Sequence, residues 1–176
     1  MAWQVRHAGA DDIPAIQSVM DRSIRQLMAE FLAPAAIAAS IELMGLDTQL
    51  IADGTYFAID DGERLVGCGG WSRRATLFGG DHTKGRNDAL LDSRTEPARV
   101  RAMYTDPDYA RRGIGRAILI ACEAAARADG FRRVELAATL AGEPLYRAAG
   151  YSPIEAFEQV TSTGVSVPLI RMGKPL

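Results

Sequence analysis

The residues best suited to chemistry lie in one stretch, Thr105 to Gly115, with the sequence TDPDYARRGIG. Two glycines, Gly113 and Gly115, precede a segment of helical periodicity, and three arginines flank them: Arg111, Arg112 and Arg116. Glycines let main-chain N–H groups approach an anion, and a helix N-terminus adds unpaired donors and the positive end of its dipole. This combination is typical of a phosphate-binding loop and predicts a site for a pyrophosphate.

Three other interpretations of this loop exist. A P-loop ends in Gly-Lys-Ser/Thr, which is absent here. A dinucleotide fingerprint needs a third glycine where Ile118 stands, and its acidic residue at the end of a strand, whereas Glu135 falls inside a predicted strand. A helix start with glycines for packing alone does not explain the arginines. The last two interpretations stay open as minor alternatives.

Hydrophobic periodicity predicts the elements that position the loop. Strands are predicted at Gln4 to His7, Thr55 to Asp60, Leu65 to Trp71, Val100 to Thr105, Val134 to Ala138, Glu155 to Val160 and Val165 to Met172. Helices are predicted at Ile13 to Phe31 with Asp11 and Asp12 as N-cap, Pro34 to Gly45, Ile114 to Asp129 and Pro144 to Ala149. Asp61-Gly62 predicts a hairpin turn. Ser72 to Ala98 fits neither period and predicts a functional or mobile loop bordering the acceptor pocket.

Composition narrows the class of protein. The chain has 176 residues, 24% of them charged, and a formal net charge of −2, so a single ordinary domain is expected and nucleic acid is not an expected partner. Cys68 and Cys122 show no metal-ligand spacing and are predicted to be reduced and buried. Two distant histidines give no metal site, and no G-x-S-x-G elbow is present. No signal segment or membrane-length apolar run is seen, so a cytoplasmic location without a membrane partner is expected.

Two motifs together resemble the GNAT superfamily of N-acetyltransferases. That family carries Q/R-x-x-G-x-G/A at the start of a helix, and Ala110 to Gly115 is similar, with Ala110 in the first position. Leu145 to Tyr151 (LYRAAGY) resembles the family's FYEKLGF-like segment. Thr139 and Gly142 stand where the family often has Asn and Ala. The resemblance implies one α/β domain over residues 1–176, with a mixed, mostly antiparallel, splayed sheet of about six or seven strands flanked by helices.

The resemblance also implies roles for particular residues. The coenzyme A pyrophosphate is expected on the amides of Arg111, Arg112, Gly113, Ile114, Gly115 and Arg116. The pantetheine arm is expected to pair with the backbone of Met103, Tyr104 and Thr105, and the Thr139 hydroxyl to replace the family's asparagine. The amine attacks the thioester directly, a backbone N–H near Met103 or Tyr104 stabilises the oxyanion, and Tyr146 protonates the departing thiolate. The alternative interpretation is that Tyr146 only packs in the core. The side chains of Tyr104 and Tyr151 are also interpreted as core packing residues.

Other side chains have two interpretations each. His82 in the long loop is a general base or a solvated residue, and the second is favoured. Glu135 is a base acting through water or a charge-pairing residue. Ser23 and Arg25 lie where the resemblance implies the acceptor site, although a solvent-facing surface is slightly favoured. Three residues are predicted to be structural: His7, Trp3 and Trp71.

The sequence therefore predicts an N-acetyltransferase that moves acetyl from acetyl-coenzyme A to a primary amine without a metal. The acceptor is expected to be a small-molecule amine or a peptide, and a homodimer is suggested only by analogy. The alternative is a non-catalytic acyl-coenzyme A binding or sensor module. Acceptor identity is not predicted, because loops rather than motifs encode it.

Overall fold

A seven-stranded sheet forms the centre of the protein in a computed structural model that describes residues 3–176. The strand order is β1-β2-β3-β4-β5-β7-β6, and every neighbouring pair is antiparallel except β4 and β5. The strands are β1 (Gln4–His7), β2 (Tyr56–Asp60), β3 (Leu65–Ser72), β4 (Ala98–Thr105), β5 (Arg133–Ala138), β6 (Ser152–Val160) and β7 (Ser166–Pro175). The predicted mixed, mostly antiparallel sheet is confirmed.

Helices cover both faces of this sheet. They are α1 (Ile13–Leu27), α2 (Pro34–Ser40), α3 (Thr48–Ala52), α4 (Ile114–Ala128) and α5 (Glu143–Ala148). Side chains alternate along a strand, so Phe57 and Ile59 of β2 join the core under α4, whereas Tyr56 and Ala58 join the core under α1. The glycine loop before α4 and helix α1 are therefore held by two separate cores that share one sheet.

Three predicted features of the helix ends are wrong. Helix α2 ends at Ser40 rather than Gly45, because the chain tightens into successive three-residue turns. Helix α1 ends at Leu27 rather than Phe31. Asp12 does not cap α1, since its carboxylate accepts hydrogen bonds from the Gly9 N–H at 2.8 Å and from Arg6 at 2.8 Å. Helix α3 was not predicted, because its five residues are too few to show a helical periodicity.

The segment between β3 and β4 folds into an irregular hairpin. Main-chain bonds join Ala75 to Ala89 and Thr76 to Asn87, each at 2.9 Å. Two ion pairs fix this hairpin to α3 and its N-cap: Arg74 with Asp53 at 2.8 Å and Arg86 with Asp47 at 3.0 Å. The long polar segment is thus tied to the body of the protein near one end of the sheet.

The sheet opens between its two parallel strands. Pairing of β4 with β5 is confined to Ala98–Val134 and Arg99–Glu135, so β4 beyond Arg99 has no strand beside it on that edge. A bulge in β4, where the register shifts opposite Cys68 to Gly70, places Ala102 at a left-handed φ of 52°. The Tyr56 hydroxyl donates to the Ala102 carbonyl at 2.7 Å and holds the bulge. The open edge of β4 borders the space that separates β4 from β5.

Candidate active site

A cavity of about 790 Å³ occupies the opening in the sheet. Its wall is contributed by α1, β4, the glycine loop, α5 and β7, and the tip of the long hairpin closes one side through Leu77, Phe78 and Gly79. The prediction that this segment borders a pocket is confirmed. Of the predicted site residues, the wall includes Met103, Tyr104, Thr105, Arg111, Gly113, Ile114, Gly115, Arg116, Thr139 and Tyr146.

The glycine loop presents unpaired main-chain donors at one end of the cavity. The first helical bond of α4 is Ala117 N–H to the Gly113 carbonyl, and the N–H groups from Gly113 to Arg116 donate to no acceptor within residues 3–176. Gly113 adopts a φ of 89°, and a Cβ placed on it would meet no heavy atom within 4 Å. Open space therefore lies over these donors, as an anion at a helix N-terminus requires.

An ion-pair network fixes the loop to α1. Asp106, whose side chain is 2% exposed, accepts a hydrogen bond from Arg22 at 2.6 Å. Its other oxygen accepts from the Asp108 N–H at 3.0 Å, and its own N–H donates to Val66 of β3 at 2.9 Å. The turn after β4 is thus tied to both neighbouring elements, which orients the donors that follow it.

The three loop arginines have different surroundings. The Arg112 guanidinium lies 5.1 Å from the centre of the Tyr109 ring, and its carbonyl accepts from the Trp3 indole at 3.1 Å. Arg112 does not line the cavity, so the structure gives its side chain a packing role. Arg111 and Arg116 line the cavity, are exposed, and have no ion-pair partner among the residues described. These two supply the positive charge at this end.

Tyr146 lies in the wall opposite the open edge of β4. It packs edge-on against Tyr151 with ring centres 5.8 Å apart, and its hydroxyl has no hydrogen-bond partner in the described chain. Burial raises the pKa of the Tyr146 phenol above its ordinary value, so the group is protonated at neutral pH. Thr139 lines the same wall; its hydroxyl oxygen accepts from the Gly142 N–H at 3.1 Å and keeps its own proton to donate.

The other half of the cavity borders α1. Ser23 is 8% exposed and lines it, so the solvent-facing interpretation is wrong for Ser23. That interpretation holds for Arg25, which is exposed and pairs with Asp21 at 2.7 Å. Tyr104 is buried on this side, and its hydroxyl accepts from the Gly45 N–H at 3.1 Å.

The remaining candidates lie outside the cavity wall. Glu135 is paired with Arg99 at 2.8 Å and Arg171 at 2.6 Å, so the charge-pairing interpretation is correct. His82 is exposed, with Nε2 2.8 Å from the Ile41 carbonyl. The structural assignments fit the packing of His7 on Phe57, Trp3 on Tyr109 and Trp71 on Phe131.

The residues that the structure describes hold neither a cluster of metal ligands nor a membrane-spanning helix. Residues 3–176 contain no group of three or more His, Cys, Asp or Glu side chains able to hold a metal ion. Within the same residues, every helix falls short of the length and apolar character needed to cross a membrane.

Several site residues have no signal in the sequence. Ala102 forms the bulge although alanine rarely adopts its conformation. Arg22 and Asp106 meet across 84 residues of sequence. The buried pair of Arg101 with Asp47, at 2.7 Å, ties β4 to the start of α3 and was likewise missed. Such contacts depend on tertiary packing. Their only signal in the sequence is a charged residue at a position that the apolar periodicity would place in the core.

Comparison with known proteins identifies the class. The model of the Acetyltransferase (GNAT) family matches residues 23–151, so the chain belongs to this family of acetyltransferases. The family resemblance of the two motifs is confirmed. None of the curated proteins gives a significant match to the chain.

Solved structures agree in fold at low identity. A GCN5-related N-acetyltransferase from Rhodopseudomonas palustris is 18% identical, with a TM-score of 0.73 and coverage of 100% of this chain and 97% of that one. The PaiA N-acetyltransferase of Thermoplasma acidophilum, in complex with coenzyme A, is 13% identical, with a TM-score of 0.66 and full coverage of both chains. The putative acetyltransferase YncA of Salmonella typhimurium, solved with acetyl-CoA, is 16% identical, with a TM-score of 0.66 and coverage of 100% and 95%.

Proposed function

We propose that this protein is an N-acetyltransferase that transfers acetyl from acetyl-coenzyme A to a primary amine, with Tyr146 as general acid. The observation that carries the proposal is one continuous cavity. It joins the unpaired donors of Gly113 to Arg116, the open edge of β4 and the unpartnered Tyr146 hydroxyl. The coenzyme A and acetyl-CoA present in two of the similar structures support the choice of donor.

The cavity residues fit coenzyme A. Its pyrophosphate needs N–H donors and positive charge, which the start of α4 offers together with Arg111 and Arg116. A Cβ on Gly115 would lie 2.9 Å from the end of the Leu145 side chain, so glycine here lets α5 pack close to the start of α4. Its pantetheine arm carries amides, and the open edge of β4 at Met103 to Thr105 offers main-chain partners for them.

Acetyl-coenzyme A, when bound, supplies a reactive thioester. The residues of this chain supply the hydrogen bonds and the proton that the reaction needs. A main-chain N–H at Met103 or Tyr104, presented by the bulge, donates to the thioester carbonyl oxygen. Tyr146 gives its proton to the leaving sulfur. The Thr139 hydroxyl donates to the arm of the donor.

Direct attack by the amine agrees with the wall chemistry. Cys68 and Cys122 are each 0% exposed, and neither lines the cavity. Burial also raises the pKa of the Cys68 thiol to about 12, so no thiolate is available to accept the acetyl group. The amine nitrogen is then the nucleophile.

The test is Tyr146→Phe, which removes one hydroxyl and keeps the ring. We expect single-turnover thiol release to fall about 10²-fold while coenzyme A affinity by calorimetry is unchanged. Tyr151→Phe is the matched control, because it removes the neighbouring hydroxyl, which does not line the cavity.

Two outcomes contradict parts of the proposal. Equal rates for the Tyr146→Phe variant and the unmodified protein would exclude Tyr146 as the acid. Tight coenzyme A binding without thiol release, across a broad panel of amines, would establish the binding or sensor module instead.

A further inference from the structure

The half of the cavity remote from the glycine loop has an apolar wall. Six of its side chains come from four separate parts of the chain: Ile24, Leu27, Met28, Leu43, Phe78 and Leu169. Phe78 is backed by Phe157 of β6, with ring centres 6.1 Å apart. An acceptor bound here places a hydrocarbon or aromatic body against these side chains, since burial of apolar surface is the main attraction that they offer.

Charge is distributed unevenly over the same wall. Among the cavity-lining residues of the described chain, four are charged: Glu30, Arg101, Arg111 and Arg116. Arg111 and Arg116 flank the donors of the glycine loop, whereas Glu30 follows the C-terminal end of α1. One end of the cavity is therefore cationic and the other carries a carboxylate.

Arg101 is not available to bind an anionic acceptor. Its side chain is 2% exposed; Nη1 lies 2.7 Å from Asp47, and Nη2 donates to the Gly79 carbonyl at 2.6 Å. Nε is buried and faces no acceptor. Its charge is offset by Asp47, so an acceptor carboxylate would find no free cation in this half.

Glu30 and Phe31 form the mouth of this half. Glu30 is exposed and has no ion-pair or hydrogen-bond partner in the described chain. Phe31 also lines the cavity and is 45% exposed, so its ring is accessible from solvent at this point. A carboxylate beside an aromatic face attracts an ammonium group.

The position of the mouth follows from α1. Arg22 is bound to Asp106 at the phosphate end, and Leu27 lies about 7.5 Å further along the helix axis at 1.5 Å per residue. Glu30 follows the end of that helix. It is therefore separated from the phosphate end by the apolar wall.

We propose that the acceptor is a small primary amine with an uncharged apolar body, such as an arylalkylamine, and that Glu30 draws its ammonium form to the mouth. This inference rests on the proposed function. In the reaction, the ammonium loses one proton to water, the N–C bond forms and the C–S bond breaks. The products are an amide, a free thiol and one released proton.

The test compares 2-phenylethylamine with phenylalanine, which adds only a carboxylate next to the amine. With saturating acetyl-CoA we expect kcat/KM for 2-phenylethylamine to be on the order of 10²-fold higher, because the carboxylate would be buried without a partner. Calorimetry of both amines with the coenzyme A-loaded protein should show the same order of affinity. The peptide Phe-Gly-Gly is the third arm, and its preference over 2-phenylethylamine would overturn the small-molecule assignment.

Two variants test Glu30. Glu30→Gln should raise KM for 2-phenylethylamine about fivefold, with kcat and coenzyme A affinity unchanged, as expected for attraction across water. Glu158→Gln is the control, because side chains alternate along β6 and Glu158 faces away from the side where Phe157 meets Phe78. Equal KM values for the two variants would overturn the role of Glu30.

The remaining outcomes separate this inference from the proposed function. Preferential binding of 2-phenylethylamine without thiol release would refute the transferase and support the apolar acceptor site. Acetylation with phenylalanine preferred would support the transferase and refute this inference. If 2-phenylethylamine neither binds nor reacts while other amines react, the inference is refuted.

Discussion

The buried ion pair beside the acceptor half provides a quantitative test of the structure. The Asp47 side chain is 0% exposed; one oxygen accepts from the Gln49 N–H and from Arg86, and the other lies 2.7 Å from Arg101. Asp47→Asn keeps the side-chain shape and an oxygen that can cap α3, and replaces the charged oxygen near Arg101 by an NH2 group. Arg86 retains Asp81 and Asp88 nearby at 3.6 and 3.8 Å, so the loss falls mainly on Arg101.

The magnitude follows from burial. Removing one partner of a buried pair costs about 3–5 kcal/mol, and we expect about 3 kcal/mol because Arg101 keeps its hydrogen bond to the Gly79 carbonyl. For a chain of this length that corresponds to a fall of about 6–12 °C in Tm. Asp53→Asn is the control: Asp53 pairs with Arg74 at the other end of α3, where the side chains are 11% and 25% exposed, and about 1 kcal/mol is expected.

Urea and thermal unfolding at neutral pH measure both variants. A lower urea midpoint with an unchanged m-value identifies a change in stability alone. The double variant Asp47→Asn with Arg101→Met should recover much of the loss, because no charge is then left without its partner. If Asp47→Asn costs no more than Asp53→Asn, or if the two changes in the double variant simply add, the description of a buried, mutually dependent pair is refuted.

Two further predictions concern the loop around the cofactor end. Gly113→Val should weaken coenzyme A binding, measured by calorimetry, far more than Gly164→Val does. Gly164 is the control because it has a similar positive φ and equally open space around it. Equal losses of affinity in the two variants would assign the loss to backbone strain. The hydrogen bond from Tyr109 is the main cause that lowers the pKa of Asp61 to about 2, so this group stabilises the fold above pH 4 or so and the stability is lost as pH falls towards 2. Tyr109→Phe should flatten that part of the stability–pH curve, and an unchanged curve would show that the bond does not hold the carboxylate.

The parts of the fold that the sequence predicted have local causes. The Asp61-Gly62 turn joins β2 to β3, with Gly62 at a φ of 101° and Asp61 accepting from the N–H groups of Glu63 and Arg64. The glycine loop and α4 were predicted because glycines, arginines and a long apolar period coincide there. Short apolar segments bounded by turn residues predicted each strand of the sheet, although several ends differ by a few residues.

The parts that were missed depend on distant residues. The bulge at Ala102 is held by a hydrogen bond to its carbonyl from Tyr56, which lies in another strand. The apolar acceptor half combines α1 with the hairpin tip and β7, and no local pattern relates these segments. For Ser23 a solvent-facing surface was slightly favoured over the acceptor site, because serine side chains are mostly exposed.

The tyrosine that holds the bulge has a consequence for engineering. Tyr56 does not line the cavity, yet its hydroxyl bonds to the bulge of β4, whose main chain we propose faces the thioester. Transplanting only the cavity-lining residues into a related scaffold would omit it, and the grafted strand would lose its kink. A library of variants for new acceptors should therefore vary positions such as Leu43 and Phe78 and leave both Tyr56 and Ala102 unchanged.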